Sequence, residues 1–119
     1  MVGEEWPSVS VVMPVRDEAD HLEAAVQAVL DQEYPRPLEV VLAIAPSTDA
    51  TLDVARGLAD RDGRLVLVDN PAGGTAAGLN AAIGASGGEV VVRVDGHAEL
   101  SDGYVQRAVE QLLATGELP

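Results

Sequence analysis

The stretch Glu89–Leu100, EVVVRVDGHAEL, decides how the rest of the chain is read. Its valines, interrupted by Arg93, have the β-branched content of a buried strand, and the run stops at Asp-Gly-His. A carboxylate, a glycine and an imidazole at the end of such a strand call for an explanation. In an open parallel sheet the explanation is position, because ligands bind beyond the carboxyl ends of the strands.

Three further β-type runs precede it: Ser8–Val15 (SVSVVMPV), Leu38–Ala45 (LEVVLAIA) and Arg64–Asp69 (RLVLVD), with Glu89–Asp95 as the fourth strand. Helical patterns fill the gaps. The segment DEADHLEAAVQAVLDQ sets Leu22, Val26, Val29 and Leu30 on one face, and YPRP (Tyr34–Pro37) ends it. A second helix carries Leu52, Ala55 and Leu58 on its stripe, with Ser47, Thr48 or Asp49 as its cap. A third, TAAGLNAAIGAS, is weakened by Gly78 and Gly84. The fourth carries Val105, Val109 and Leu112, with Ser101 or Asp102 as its cap. Strand–helix alternation with near-continuous valine runs implies parallel strands covered on both faces. The expected fold is α/β, a Rossmann-like three-layer αβα arrangement with a mainly parallel sheet in the order 3-2-1-4. Its carboxyl ends gather Pro14–Glu18, Ala45–Asp49, Asp69–Gly74 and Asp95–His97.

Composition narrows the function. The 119 residues fit one domain, and with 47% hydrophobic residues but only Trp 1, Tyr 2 and Phe 0, the core is aliphatic. A net charge of −13, from 20 acidic against 7 basic residues, excludes nonspecific nucleic-acid binding, which needs a cationic surface. Cysteine is absent, so thiolate metal sites and disulfides are excluded. No apolar run reaches the roughly 18 residues of a membrane span. The start, MVGEEWPS, lacks the basic and apolar regions of a signal peptide. A soluble, cytoplasmic chain is expected. The fourth strand would be an open edge, so either something pairs with it or the sequence is part of a longer one. Self-association through that edge is expected for the isolated chain.

Three motifs carry chemistry. With flexible Gly96 between them, Asp95 and His97 can converge on one divalent cation; Mn²⁺ accepts this mixed set, while Mg²⁺ leans on oxygen and water. Such a metal would steady a departing diphosphate. The plainer alternative is that Asp95 caps a turn and His97 is solvated. In PVRDE, backbone beside Pro14 and Val15 can read a base edge and Arg16 can meet a phosphate. The alternative there is an ordinary turn with Asp17 as helix N-cap. NPAGGTAAGLN (Asn70–Asn80) has the form of a phosphate cradle at a helix start, without matching either the Walker A or the G-x-G-x-x-G pattern.

In their order along the chain, VSVVMPVRDE, YPRPLEVVLAIAPSTDAT and DNPAGGTAAGLNAAIGASGGEVVVRVDGH resemble family 2 glycosyltransferases of the GT-A fold. The resemblance spans residues 8–116 as one nucleotide-sugar-binding domain, cut short at its C-terminal end. It implies transfer of a sugar from a nucleotide-diphosphate donor to an acceptor hydroxyl, glycan or lipid-linked, with inversion, as in polysaccharide biosynthesis. It makes Pro14, Val15, Arg16 and Glu18 nucleotide contacts, and Asp95 a donor contact. Asp95 and His97 fall on the family's Asp-x-Asp metal motif in an Asp-x-His form, implying Mn²⁺ or Mg²⁺. The chain departs from the family at Ile44 and Ala45, where an acidic pair is usual, and at Gly74, where many members carry Lys or Arg. The acceptor-side catalytic base would lie beyond the fourth helix, so the expected role of these residues is donor binding. Membrane association of any longer parent is left open by the sequence. A non-catalytic nucleotide-sugar-binding or regulatory module is the competing expectation.

Overall fold

The computed structural model describes residues 6–97 and 99–115. Strands β1 (Val9–Val15), β2 (Leu38–Ile44), β3 (Leu65–Asp69) and β4 (Val90–Arg93) alternate with helices α1 (Leu22–Leu30), α2 (Thr51–Arg61), α3 (Thr75–Gly84) and α4 (Tyr104–Thr115). All strand pairs are parallel, in the order β3-β2-β1-β4 that the alternation predicts. The register sets Val9 between Leu38 and Val90.

Both faces of the sheet are covered. Val9, Val11, Met13 and Val15 of β1 join Val40, Leu42, Val90 and Val92 in one cluster with α1, α2 and α4. Val12, Val41 and Ala43 face the other way, onto Ala82 and Leu79 of α3. Two-sided burial is why the strands read as unbroken valine runs instead of alternating patterns. The stripes of α1 and α4 behave as expected, with Leu22, Val26, Val29, Val105 and Val109 fully buried.

Several boundaries differ from the sequence reading, each for a local reason. Strand β4 is shorter than Glu89–Asp95. Its paired register ends at Arg93 opposite Val12, and the Val94 amide adds one last bond to the Val12 carbonyl at 3.0 Å. Helix α1 starts at Leu22, so Asp17 is not its N-cap: Asp17 sits at φ 50, a left-handed conformation that interrupts the helix. The Glu18 carbonyl instead receives the His21 and Leu22 amides at 3.0 and 2.8 Å. Helix α1 also stops at Leu30, short of YPRP: the Asp31 amide bonds the Gln27 carbonyl at 2.9 Å, and the Gln32 amide closes a tighter last turn on the Val29 carbonyl at 3.1 Å. On α2 the buried positions are Thr51, Ala55 and Leu58, while Leu52 is 37% exposed. Of its three candidate caps, Asp49 takes the Thr51 amide at 3.0 Å. Neither Ser101 nor Asp102 caps α4 with its side chain: the Val105 amide bonds Gln32 Oε1 at 3.1 Å, and the Ser101 hydroxyl is taken by Arg107 at 2.6 Å. Among the described residues no helix is long and apolar enough to cross a membrane.

Candidate functional site

The loops at the carboxyl ends of the strands enclose two adjoining clefts that share Ala45 and Asn70. The larger, about 400 Å³, lies between the ends of β2 and β3 and is lined by Ile44, Ala45, Pro46, Leu52, Asp69 and Pro71, among others. The smaller, about 220 Å³, runs from Pro14, Val15 and Arg16 to Gly73, Gly74 and Thr75. Asn70 holds them together. It is buried, its side-chain amide donates to the Gly74 carbonyl at 3.0 Å, and its Oδ1 accepts the Gly73 amide at 3.3 Å. That clamp shapes the loop whose Gly73 adopts φ +79 just before α3, and the helix start has no side-chain cap. An uncapped helix N-terminus offers amide donors and the positive end of the helix dipole to an anion. Arg16 adds a guanidinium at the rim, with 67% of its side chain exposed.

The β1–α1 and β2–α2 loops are stitched to each other. The Thr48 amide donates to Asp17 Oδ1 at 2.7 Å, and the Asp17 amide donates to the Ser47 hydroxyl at 3.0 Å. The Glu18 amide donates to Thr51 Oγ1 at 2.9 Å, and the Ala19 amide to Asp49 Oδ2 at 3.2 Å. Asp49 Oδ1 also accepts from the Thr51 hydroxyl. That hydroxyl bond, aided by the Thr51 and Ala19 amides, holds the Asp49 carboxyl below its usual range.

The Asp-Gly-His turn follows β4. Gly96 is not the flexible spacer the sequence suggests; it is buried, and a Cβ there would fall 2.7 Å from Val15 Cγ1 and 3.4 Å from Glu18 Cγ. The turn is therefore seated on β1, and only glycine lets it come so close. Arg93, which the sequence left without a role, holds Asp95 Oδ1 through Nη2 at 3.2 Å and Nε at 3.3 Å. The other Asp95 oxygen has no protein partner among the described residues. His97 Nδ1 lies 3.5 Å from Glu18 Oε1. Glu18 does not line either cleft; its side chain is 21% exposed, and its Oε2 is buried without a partner among the described residues. An unpaired buried acceptor costs about 1–3 kcal/mol, so a carboxylate retained there asks for a function.

These donors fit a divalent cation in part. Asp95 Oδ2 and His97 Nε2 are an oxygen and a nitrogen without protein partners among the described residues, the mixed set Mn²⁺ accepts. No group of three or more His, Asp or Glu side chains suited to a metal occurs among the described residues, so water and bound ligand would complete the shell. One cleft residue escaped the sequence reading of the site: Leu52 was assigned to the core by helical spacing, while Asp69 was signalled by its place at a strand's carboxyl end.

The profile of glycosyl transferase family 2 matches residues 10–117. The succinoglycan biosynthesis protein ExoA of Rhizobium meliloti (strain 1021) is 37% identical over 98% of this chain and 36% of its own length. Glycosyltransferase AglE of Haloferax volcanii is 30% identical over 92% of this chain and 37% of its own. The chain thus spans about a third of the length of these relatives. Among solved structures, mannosyltransferase PcManGT from Pyrobaculum calidifontis, in complex with GDP-Man and Mn²⁺, superposes with a TM-score of 0.83 at 33% identity, covering 92% of this chain and 33% of that one. S. aureus TarS 1–349 in complex with UDP shares the fold, with a TM-score of 0.76 at 22% identity, over 90% of this chain and 32% of that one.

Proposed function

The chain belongs to glycosyl transferase family 2 and has the GT-A fold, and from that premise we propose that it binds the nucleotide-sugar donor for transfer to an acceptor hydroxyl, glycan or lipid-linked. The observation that carries this reading is the convergence of both clefts, the α3 N-terminus and the Asp95–His97 turn at the carboxyl ends of one parallel sheet. The larger cleft, with Ile44, Pro46, Leu52 and Pro71 on its walls, takes the base as a flat apolar guest. Backbone beside Pro14 and Val15 borders the nucleoside, while Arg16 and the start of α3 meet the diphosphate.

Asp95 and His97 would hold a divalent ion, Mn²⁺ or Mg²⁺, as in relatives such as PcManGT, whose structure contains Mn²⁺. When bound, the ion supplies positive charge against the diphosphate as it departs. In a protein of net charge −13 that compensation matters, because Arg16 is the only basic side chain among the described residues lining the smaller cleft. The transfer is of the inverting kind, a single displacement in which a base takes the acceptor proton. None of the described residues is assigned as that base. At the other side of the sheet, β4 is an edge strand through which the isolated chain pairs with a second copy.

Calorimetric titration of the 119-residue chain with UDP-, GDP- and dTDP-sugars, with and without Mn²⁺, tests the reading. Mn²⁺-dependent binding of one donor, abolished by Leu52→Trp at unchanged thermal stability, is the expected outcome. Donor affinity unaffected by chelator, or by filling the larger cleft, would reject it. A donor-transfer assay on the same protein separates binding alone from turnover.

A further inference from the structure

We propose that Glu18 is a positioning residue for His97: its carboxylate receives the proton on Nδ1 and so leaves the Nε2 lone pair as the one available to a cation. The inference rests on the metal reading above but concerns a contact present without the metal.

Four observations support it. First, the Glu18 backbone is fixed on both sides. Its amide donates to Thr51 Oγ1 at 2.9 Å, and its carbonyl receives the His21 and Leu22 amides at 3.0 and 2.8 Å. Second, the side chain is drawn inward, 21% exposed against 67% for Arg16 and 42% for Asp17 in the same loop. Third, Gly96 removes any side chain that would stand between the turn and Glu18, since a Cβ there would meet Glu18 Cγ at 3.4 Å. Fourth, among the described residues the one side-chain group within reach of that carboxylate is the imidazole, with Nδ1 at 3.5 Å from Oε1, while Oε2 stays buried and unpartnered.

The chemistry is directional. A neutral imidazole carries its proton on one nitrogen and its lone pair on the other, and an acceptor beside Nδ1 selects the form that coordinates through Nε2. A carboxylate in this place also fixes the ring plane. The His97 side chain is 65% exposed, which leaves the ring open to a cation, against 21% for Glu18. Glu18 thus acts on the cation through His97 without being one of its ligands.

The test uses histidine-labelled protein without metal, followed by Mn²⁺ alone. Nitrogen-15 spectra at about pH 8, well above the usual histidine range, report which imidazole nitrogen of His97 carries the proton, with His97→Asn identifying its signals against those of His21. The parent is expected to show the Nδ1–H form. Glu18→Gln should retain it, because the amide oxygen still accepts that proton, and Glu18→Ala should lose it. Paramagnetic resonance titration should then show Mn²⁺ affinity lowered about ten- to a hundredfold in Glu18→Ala and nearly restored in Glu18→Gln. An unchanged tautomer in Glu18→Ala, with circular dichroism showing a folded protein, overturns the proposal. Loss of fold in both variants while parent His97 shows Nε2–H overturns it equally. A parent that shows the Nδ1–H tautomer and its loss in Glu18→Ala, yet binds no Mn²⁺, upholds the contact and rejects the metal reading alone.

Discussion

In the proposed metal site, Arg93 competes with the cation for the Asp95 carboxylate. The pair is half exposed, 50% and 52%, so breaking it costs about 1 kcal/mol at most. Arg93→Gln is therefore expected to tighten Mn²⁺ binding by up to about fivefold. Asp95→Asn should weaken it by more than His97→Ala does, because the carboxylate contributes charge as well as a donor atom. Titration of Mn²⁺ into each variant checks the ranking, and an Arg93→Gln affinity below that of the parent would contradict it. The sequence showed the pair Asp95 and His97 but not how each is engaged. Spacing along a turn puts two donors near each other; it does not reveal that Arg93 reaches forward to one while Glu18, from the far end of the chain, approaches the other. Gly96 illustrates the same limit, since its necessity lies in the packing of Val15 beneath it.

Helix interiors hold two glycines of opposite meaning. Gly57 in α2 has open space where a Cβ would stand, with nothing within 4 Å, so Gly57→Ala should stabilise the protein by about 0.4–1 kcal/mol. At Gly78 in α3 a Cβ would stand 2.9 Å from Asn70 Nδ2 and 3.2 Å from Pro14 Cβ. Gly78→Ala should cost about 1–3 kcal/mol by overpacking, and it should weaken donor binding by displacing the Asn70 clamp. Urea unfolding and donor titration of both variants provide the check. As propensity alone, each glycine weakens its helix, and only the fold separates them. The α-helical stripes and valine runs were legible because burial on one face or two imposes a period. Helix starts were not, because Gln32 and Thr51 act across the chain rather than along it.

Another element-level feature concerns Tyr34 in the α1–β2 loop. Its ring meets Trp6 edge to face at 5.8 Å and its hydroxyl donates to the Pro7 carbonyl at 2.6 Å. Burial pushes the phenol from 10.0 up to about 12, with Arg36 opposing and Glu89 adding to the rise. Between those values the unfolded chain has lost the proton and the folded one keeps it. Stability therefore falls as pH rises from 10.0 through about 12. The sequence contains no lysine to titrate in that alkaline window beside Tyr34. Tyr34→Phe should lose about 1 kcal/mol at neutral pH with its hydrogen bond and show a shallower alkaline decline. Equal slopes for both proteins in urea unfolding across this range would count against the assignment.

At the scale of the molecule, the sheet order followed from strand–helix alternation, since right-handed crossovers leave few arrangements of four parallel strands. The edge is where sequence and structure meet a consequence in solution. Val91 on β4 and Ile83 on α3 are exposed at 36% and 49%. Glu89 and Arg93 flank Val91 symmetrically, so an antiparallel pairing of two β4 strands about Val91 sets each acid against the partner's base. Sedimentation velocity should show concentration-dependent dimers that Val91→Lys abolishes, by placing a charge on the edge. A monomer at every concentration in the parent would refute this pairing.

The stitched loops have a consequence for anyone re-engineering the protein. Residues 17–19 and 47–51 exchange hydrogen bonds in both directions, most of them from a backbone amide of one loop to a side chain of the other. Neither loop completes its own bonding. They form a single structural unit. A transplant of one loop from a relative would strand the amides of the other, whereas moving both together would carry the seat of Glu18 and one wall of the larger cleft into a new scaffold.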